Sequence, residues 1–117
     1  MNIEEYRDYC ITKKAVTESF PFNETTLVFK VANKMFALAD VDSFNYINLK
    51  CDPERAIELR ETYNGVRPGY HMNKKLWNSV YLQEDVPDAL IYELIDHSYE
   101  LIVASLTKKV RNEYALG

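Results

Sequence analysis

The chain is 117 residues long, with 14 Lys plus Arg against 18 Asp plus Glu and a formal net charge of −4, which is room for one domain of ordinary size and hardly two. At 47% hydrophobic and 27% charged residues it can bury a core, which excludes intrinsic disorder. No run approaches the ~20 apolar residues of a bilayer span, Met1-Asn2-Ile3-Glu4-Glu5 is no signal peptide, and the acidic total argues against indiscriminate coating of nucleic acid.

Asn2 followed by Glu5 has the spacing of a capping box, and Ile3, Tyr6 and Cys10 recur at helical spacing, so a helix is expected over residues 3–14. After Phe20-Pro21-Phe22-Asn23 the pattern turns to strands: Leu27 to Val31 and Lys34 to Ala39, joined by Ala32-Asn33. Two linking residues suit a tight hairpin, and Asn tolerates the positive φ it demands. Asn45 to Lys50 alternates as a third strand, so the three form an antiparallel meander. Asp52-Pro53 is an N-cap acceptor followed by proline at the first helical position, and Asn64-Gly65 supplies the stop beyond Tyr63.

Val66 to Met72 reads as an interrupted extended segment, held to an edge or a loop because Pro68 cannot donate to a ladder. Trp77 to Leu82 is a clearer strand. From Pro87, Leu90/Ile91, Leu94/Ile95, Ser98, Leu101/Ile102 and Ser105 form the buried stripe of a long helix. Glu93, Asp96 and Glu100 fall on another, solvated face, and Lys108, Lys109 and Arg111 close the helix in accord with its dipole. The expected order is α-β-β-β-α-β-β-α: a single α+β domain over residues 1–117, two-layered, with helices packed on one face of an antiparallel sheet.

Catalytic and metal-binding patterns are absent. Cys10 and Cys51 lie in different elements outside any zinc spacing and read as buried free thiols of a reducing cytoplasm. His71 lacks a local partner, His97 sits beside Asp96 on the solvent side of its helix, and Ser98 and Ser105 lack the setting of a nucleophile elbow. With glycine only at 65, 69 and 117, no phosphate-cradling loop exists. No enzyme activity, cofactor or metal is expected.

Charge is unevenly spread. Residues 27–82 are net +2, whereas the two ends together carry −6. The longest acid-free stretch, Thr62 to Gln83, holds Arg67, His71, Lys74 and Lys75 beside Tyr70, Trp77 and Tyr81. Cations interleaved with rings suit a surface that meets phosphates and stacks on bases; the alternative is a solvated hairpin whose tryptophan belongs to the core. Strand parity adds that if Leu27, Phe29, Val31, Ile47, Leu49, Val80 and Leu82 face the helices, the other face shows Lys30, Tyr46, Asn48, Lys50, Trp77, Ser79 and Tyr81. An antiparallel sheet can also leave such a face idle in water.

The run Leu27-Val28-Phe29-Lys30-Val31, Lys34-Met35-Phe36-Ala37, Ile47 to Pro53, Pro68-Gly69-Tyr70-His71-Met72-Asn73-Lys74-Lys75-x-Trp77-Asn78 and Asp96-His97-Ser98-Tyr99 resembles the MmcQ/YjbR family over nearly the whole chain. The resemblance implies a CyaY-like or secretion-chaperone-like two-layer fold. It also implies a small bacterial cytoplasmic protein of a kind often labelled DNA-binding, on a proposed double-wing arrangement of hairpins. The chain departs from its relatives at Asn23, where many carry glycine, and at Leu76, where a histidine often precedes the tryptophan.

Two functions follow as expectations for a monomeric, membrane-free protein. In the first, Lys30, Lys50, Arg67, Lys74 and Lys75 contact DNA phosphates while Tyr70, His71 and Trp77 approach sugars or bases. In the second, the same surface docks a protein partner. A third reading, a metal or small-ligand domain by analogy with frataxin-like folds, rests on the acidic stripe of the last helix.

Overall fold

A computed structural model describes all of residues 1–117. Helix α1 (Ile3–Ile11) opens on the capping box, with the Glu5 amide donating to Asn2 Oδ1 at 2.8 Å and the Asn2 amide to Glu5 Oε1 at 3.0 Å. It is shorter than the expected residues 3–14: the Thr12 hydroxyl donates to the Asp8 carbonyl, and Ala15 takes a φ of 63° that turns the chain. Strand β1 (Val16–Ser19) follows, which the periodicity did not announce.

Strands β2 (Thr26–Val31) and β3 (Lys34–Asp40) form the expected hairpin. Ala32 and Asn33 sit at φ 48° and 69°, the left-handed pair that a twisted two-residue turn requires. Their register shifts: Phe29 opposes Ala37 but Lys30 opposes Met35, leaving Phe36 as the extra residue of a bulge. Strand β4 (Tyr46–Lys50) leads to α2 (Pro53–Thr62), where Asp52 accepts from the Arg55 amide at 3.1 Å. The turn after α2 is held by Asp85, whose oxygens accept from the Asn64 and Gly65 amides at 2.8 and 2.7 Å and so keep its carboxyl below the usual range.

Strands β5 (Val66–Pro68) and β6 (Trp77–Tyr81) precede α3 (Asp88–Ser105) and α4 (Lys108–Glu113). Lys108, Lys109 and Arg111 therefore do not close the long helix. Leu106 and Thr107 are extended, and the Thr107 hydroxyl caps α4 by accepting from the Val110 amide at 3.2 Å. The observed order is α-β-β-β-β-α-β-β-α-α, with β1 and α4 added to the expected elements.

The sheet is antiparallel throughout, in the order β1-β2-β3-β4-β6-β5, with short strands at both edges; Pro68 lies on the edge strand where a missing donor is harmless. Parity holds: Leu27, Phe29, Val31, Ile47, Leu49 and Val80 point into one core with Tyr6 of α1, Ala56 of α2 and Ile91 and Ile95 of α3. Each large apolar side chain fully buried there contributes about 1.5–3 kcal/mol. The helical core residues all belong to this inner cluster, so no helix contributes to the apolar packing of the outer face.

Strand direction then fixes a polarity. β2, β4 and β5 run one way and β1, β3 and β6 the other, so Val31, Lys34, Lys50, Pro68 and Trp77 all lie at the same end of the sheet. The β2–β3 turn and the β5–β6 connection project from that end together. Helix α4 joins them, its Tyr114 hydroxyl accepting from Asn33 Nδ2 at 3.2 Å.

Candidate functional site

The outer face carries a second, small apolar cluster of Val28, Leu38 and Trp77, flanked by Met35, Met72 and Leu76. Trp77, expected to approach sugars or bases, is only 9% exposed and anchors this cluster instead. Leu76 packs against it. Connection 69–76 crosses over the cluster and is tied down from below. The Gly69 amide donates to the Trp77 carbonyl at 2.9 Å, and a Cβ at Gly69 would lie 2.8 Å from Trp77 Cβ, so this close approach requires glycine.

Asn48 and Ser79, expected to show on an open face, are buried as a cross-strand pair. The Ser79 hydroxyl donates to Asn48 Oδ1 and accepts from the Tyr70 amide at 2.9 Å, while Asn48 Nδ2 donates to the Tyr70 carbonyl at 3.2 Å. Burying these groups costs little because each finds its partner. Arg60 reaches over from α2 and donates to Asn78 Oδ1 at 2.7 Å and to the Lys74 carbonyl. The loop is thus a fastened strap, and it holds Tyr70 outward, 53% exposed, beside His71 at φ 59°.

The basic candidates divide. Arg67 is occupied: its guanidinium binds both Glu84 oxygens at 2.7 and 2.9 Å and lies 4.0 Å over the Tyr81 ring. The remaining ion pairs are Met1–Asp88, Arg7–Glu18, Lys13–Asp96 and Arg55–Glu93. Lys30, Lys50, Lys74 and Lys75 therefore lack a carboxylate partner, and only Lys74 is tethered, to the Gly69 carbonyl at 3.0 Å. Register places Lys30 opposite Met35 and Lys50 opposite Trp77, at the same end as Lys74 and Lys75 on the loop. Lys34 also stands there, and α4 with Lys108, Lys109 and Arg111 ends at Tyr114, which meets Asn33 of the β2–β3 turn. Sequence reasoning missed these last four because it placed them in a hairpin stem and a helix terminus; Thr107, an N-cap residue type, was the available signal.

On the same face a cleft of about 580 Å³ runs from Met35 and Met72 toward the opposite ends of the strands at Thr26, Asp40 and Tyr46. Tyr46, Tyr70, His71 and Met72 form one side, Phe22 and Asn23 another, and Leu38, Asn48 and Asp40 line it between them. The rings are coupled: Tyr46 lies 5.0 Å from Tyr81 and 6.1 Å from Tyr70, which is 4.0 Å from His71. Asn23 closes its turn by accepting from the Thr25 and Thr26 amides at 2.9 and 2.7 Å. Asp40 accepts from the Asp42 and Ser43 amides at 2.9 and 3.1 Å, which holds its carboxyl below the usual range.

The inner-face candidates are structural. Burial pushes the Cys10 thiol up to about 12 and the Cys51 thiol up to about 11, so both stay protonated. Asp96 is not solvated as expected: it receives the Tyr9 hydroxyl at 2.7 and 2.8 Å and pairs with Lys13. Glu93 pairs with Arg55 at 2.6 Å. His97 does not face solvent idly either, since its Nε2 accepts from the Asp52 amide at 3.2 Å at the start of α2. Burial, with the Arg55 guanidinium second, holds the imidazole below its ordinary value. Unfolding therefore takes up a proton as pH falls below about 6.5. Stability is expected to be full above that pH and to decline below it toward the folded value. Urea midpoints at pH 7.5 and 5.5 should show this, and His97→Gln should flatten that part of the dependence.

The YjbR family model matches residues 11–101. Escherichia coli K12 YjbR is 36% identical over 112 residues, covering 95% of each chain. YbdF of Escherichia coli O157:H7 is 41% identical over 91 residues, 77% of this chain and 75% of its own. Among solved structures, Deinococcus radiodurans DR2400, described by the family-model domain DUF419, superposes with a TM-score of 0.92 at 39% identity, over 97% of this chain and 88% of that one. A Pseudomonas syringae protein follows with a TM-score of 0.73 at 29% identity, over 86% and 98%.

Proposed function

The chain belongs to the YjbR family, and from that premise we propose that it is a non-enzymatic, cytoplasmic DNA-binding protein that works as a monomer through the lysine-bearing end of its outer sheet face. The observation that supports this reading is the gathering of Lys30, Lys50, Lys74 and Lys75, all without carboxylate partners, where two hairpin ends project together. Unpaired ammonium groups on one end can displace counterions from phosphates, which the net charge of −4 does not forbid because a total does not say where the charges lie.

Four phosphate contacts imply that log K falls with log salt at a slope of about −3 to −4. Fluorescence anisotropy with duplex and single-stranded oligonucleotides across a salt series tests this. The double variant Lys74→Glu/Lys75→Glu, both exposed, is expected to weaken binding at least about tenfold in 0.1 M salt while leaving the melting temperature nearly unchanged. No binding at low salt, or binding indifferent to that variant, refutes the proposal.

A protein-docking reading has its own support in Phe22 and Tyr70, which are 63% and 53% exposed in the lining of the cleft. It requires a partner retained at high salt and released by Phe22→Ser.

A further inference from the structure

We propose that the cleft on the outer face receives a single unstacked base of a DNA strand and favours a base bearing an exocyclic amino group, cytosine over thymine. This rests on the DNA-binding reading above and adds to it which form of DNA is held and how a base is distinguished.

The cleft's volume of about 580 Å³ lies in the range of small-ligand sites, too small for a duplex and ample for one base with its sugar. Its sides are rings and thioethers: Tyr46, Tyr70 and His71 with Met35 and Met72. Such groups accept any base by stacking. Tyr70 is already positioned by two hydrogen bonds to its backbone from the buried Asn48–Ser79 pair, so little order has to be gained on binding.

Charge decides the orientation. Asp40 is the carboxylate in the lining and stays ionised at neutral pH. It repels a phosphate. On β2, Thr26 opposite Asp40 is four residues from Lys30, about 13 Å of strand. Phosphates therefore belong at the lysine end and the base at the Asp40 end.

Asp40 also supplies discrimination. Its Oδ1 is taken by the Asp42 and Ser43 amides, whereas Oδ2 receives the Thr25 hydroxyl at 3.3 Å, a long contact. A carboxylate is purely an acceptor, so the remaining lone pair of Oδ2 welcomes an N–H2 donor. Cytosine N4 is such a donor and a frequent partner of acidic side chains. Thymine presents a carbonyl at the equivalent position and is repelled.

The experiment uses the full chain with a fluorescent oligo-dT strand, the same strand with one central dC, and the duplex of the latter. The single strands are expected to bind more tightly than the duplex, and the central cytosine to add about tenfold. Asp40→Asn keeps an acceptor for the 42–43 turn, so it should fold; it should erase the cytosine gain while retaining oligo-dT binding. Tyr70→Ala should weaken the single strands and spare the duplex. Equal binding of strand and duplex, both lost in Lys74→Glu/Lys75→Glu, would overturn the cleft proposal while leaving the phosphate-binding reading standing. A cytosine preference that survives Asp40→Asn overturns the role of Asp40. Failure of every nucleic acid to bind at low salt removes both and hands the face to a protein partner.

Discussion

Phe36→Ala is expected to destabilise the protein by about 3–5 kcal/mol, lowering the melting temperature on the order of 10–20 °C. Phe36 is fully buried and meets the Tyr99 ring edge-on at a centroid distance of 5.4 Å. It is also the extra residue of the β2–β3 bulge, so its side chain turns into the helices although strand alternation would send one of Phe36 and Ala37 outward. Alanine removes the ring and leaves a cavity between the bulge and α3 that the rigid sheet cannot close. Urea denaturation measures the loss. A penalty below about 1 kcal/mol would mean that the bulge repacks and that Phe36 is not a keystone of this layer.

Ser98→Ala is expected to cost about 2–4 kcal/mol, although it deletes one oxygen from a well-packed position. The Ser98 hydroxyl donates to the Phe36 carbonyl at 2.6 Å and accepts from the Lys50 amide at 2.9 Å. β3 and β4 pair directly only at Ala37–Leu49 and Leu38–Asn48. Where the bulge pushes Phe36 away from Lys50, the hydroxyl splices the broken ladder. Without it a carbonyl and an amide lose their partners together. Hydrogen exchange at the Lys50 amide should accelerate more than elsewhere in β4, and strand binding should weaken because Lys50 is one of the four unpaired lysines. Substitution by Thr, which keeps the hydroxyl, should recover the amide protection; an unchanged Lys50 amide in Ser98→Ala would refute the splice.

Much of the fold was legible. The capping box at Asn2, the Ala32-Asn33 hairpin, the Asp52-Pro53 start and the edge position of Pro68 are local signals whose physics acts within a few residues, and each appears where expected. β1 was not legible because Val16-Thr17-Glu18-Ser19 is short and polar, and only its pairing with β2 makes it a strand. The long helix was read too far because apolar spacing continues past Ser105, while the break is made by the Thr107 cap.

The candidate site was half legible. Strand parity puts Lys30 and Lys50 on one face and the acid-free stretch holds Lys74 and Lys75, while the end they share follows from antiparallel register. Trp77, Asn48 and Ser79 were assigned to that open face correctly by parity and wrongly by exposure, because the 69–76 strap covers them. Arg67 carries the right charge but has Glu84 as its partner, seventeen residues away in sequence and beyond any local pattern.

By itself the sequence determined the residue types, the strand alternation and the caps, and hence an α+β layer whose inner face is apolar and whose middle is mildly basic. Only the tertiary structure decided which cations remain unpaired, which aromatic ring is buried and where a cleft opens. Those properties depend on groups distant in the chain meeting in space. The net charge of −4 counts charges without saying which of them neutralise one another, and it is that pairing, set by the fold, which leaves Lys30, Lys50, Lys74 and Lys75 without carboxylate partners.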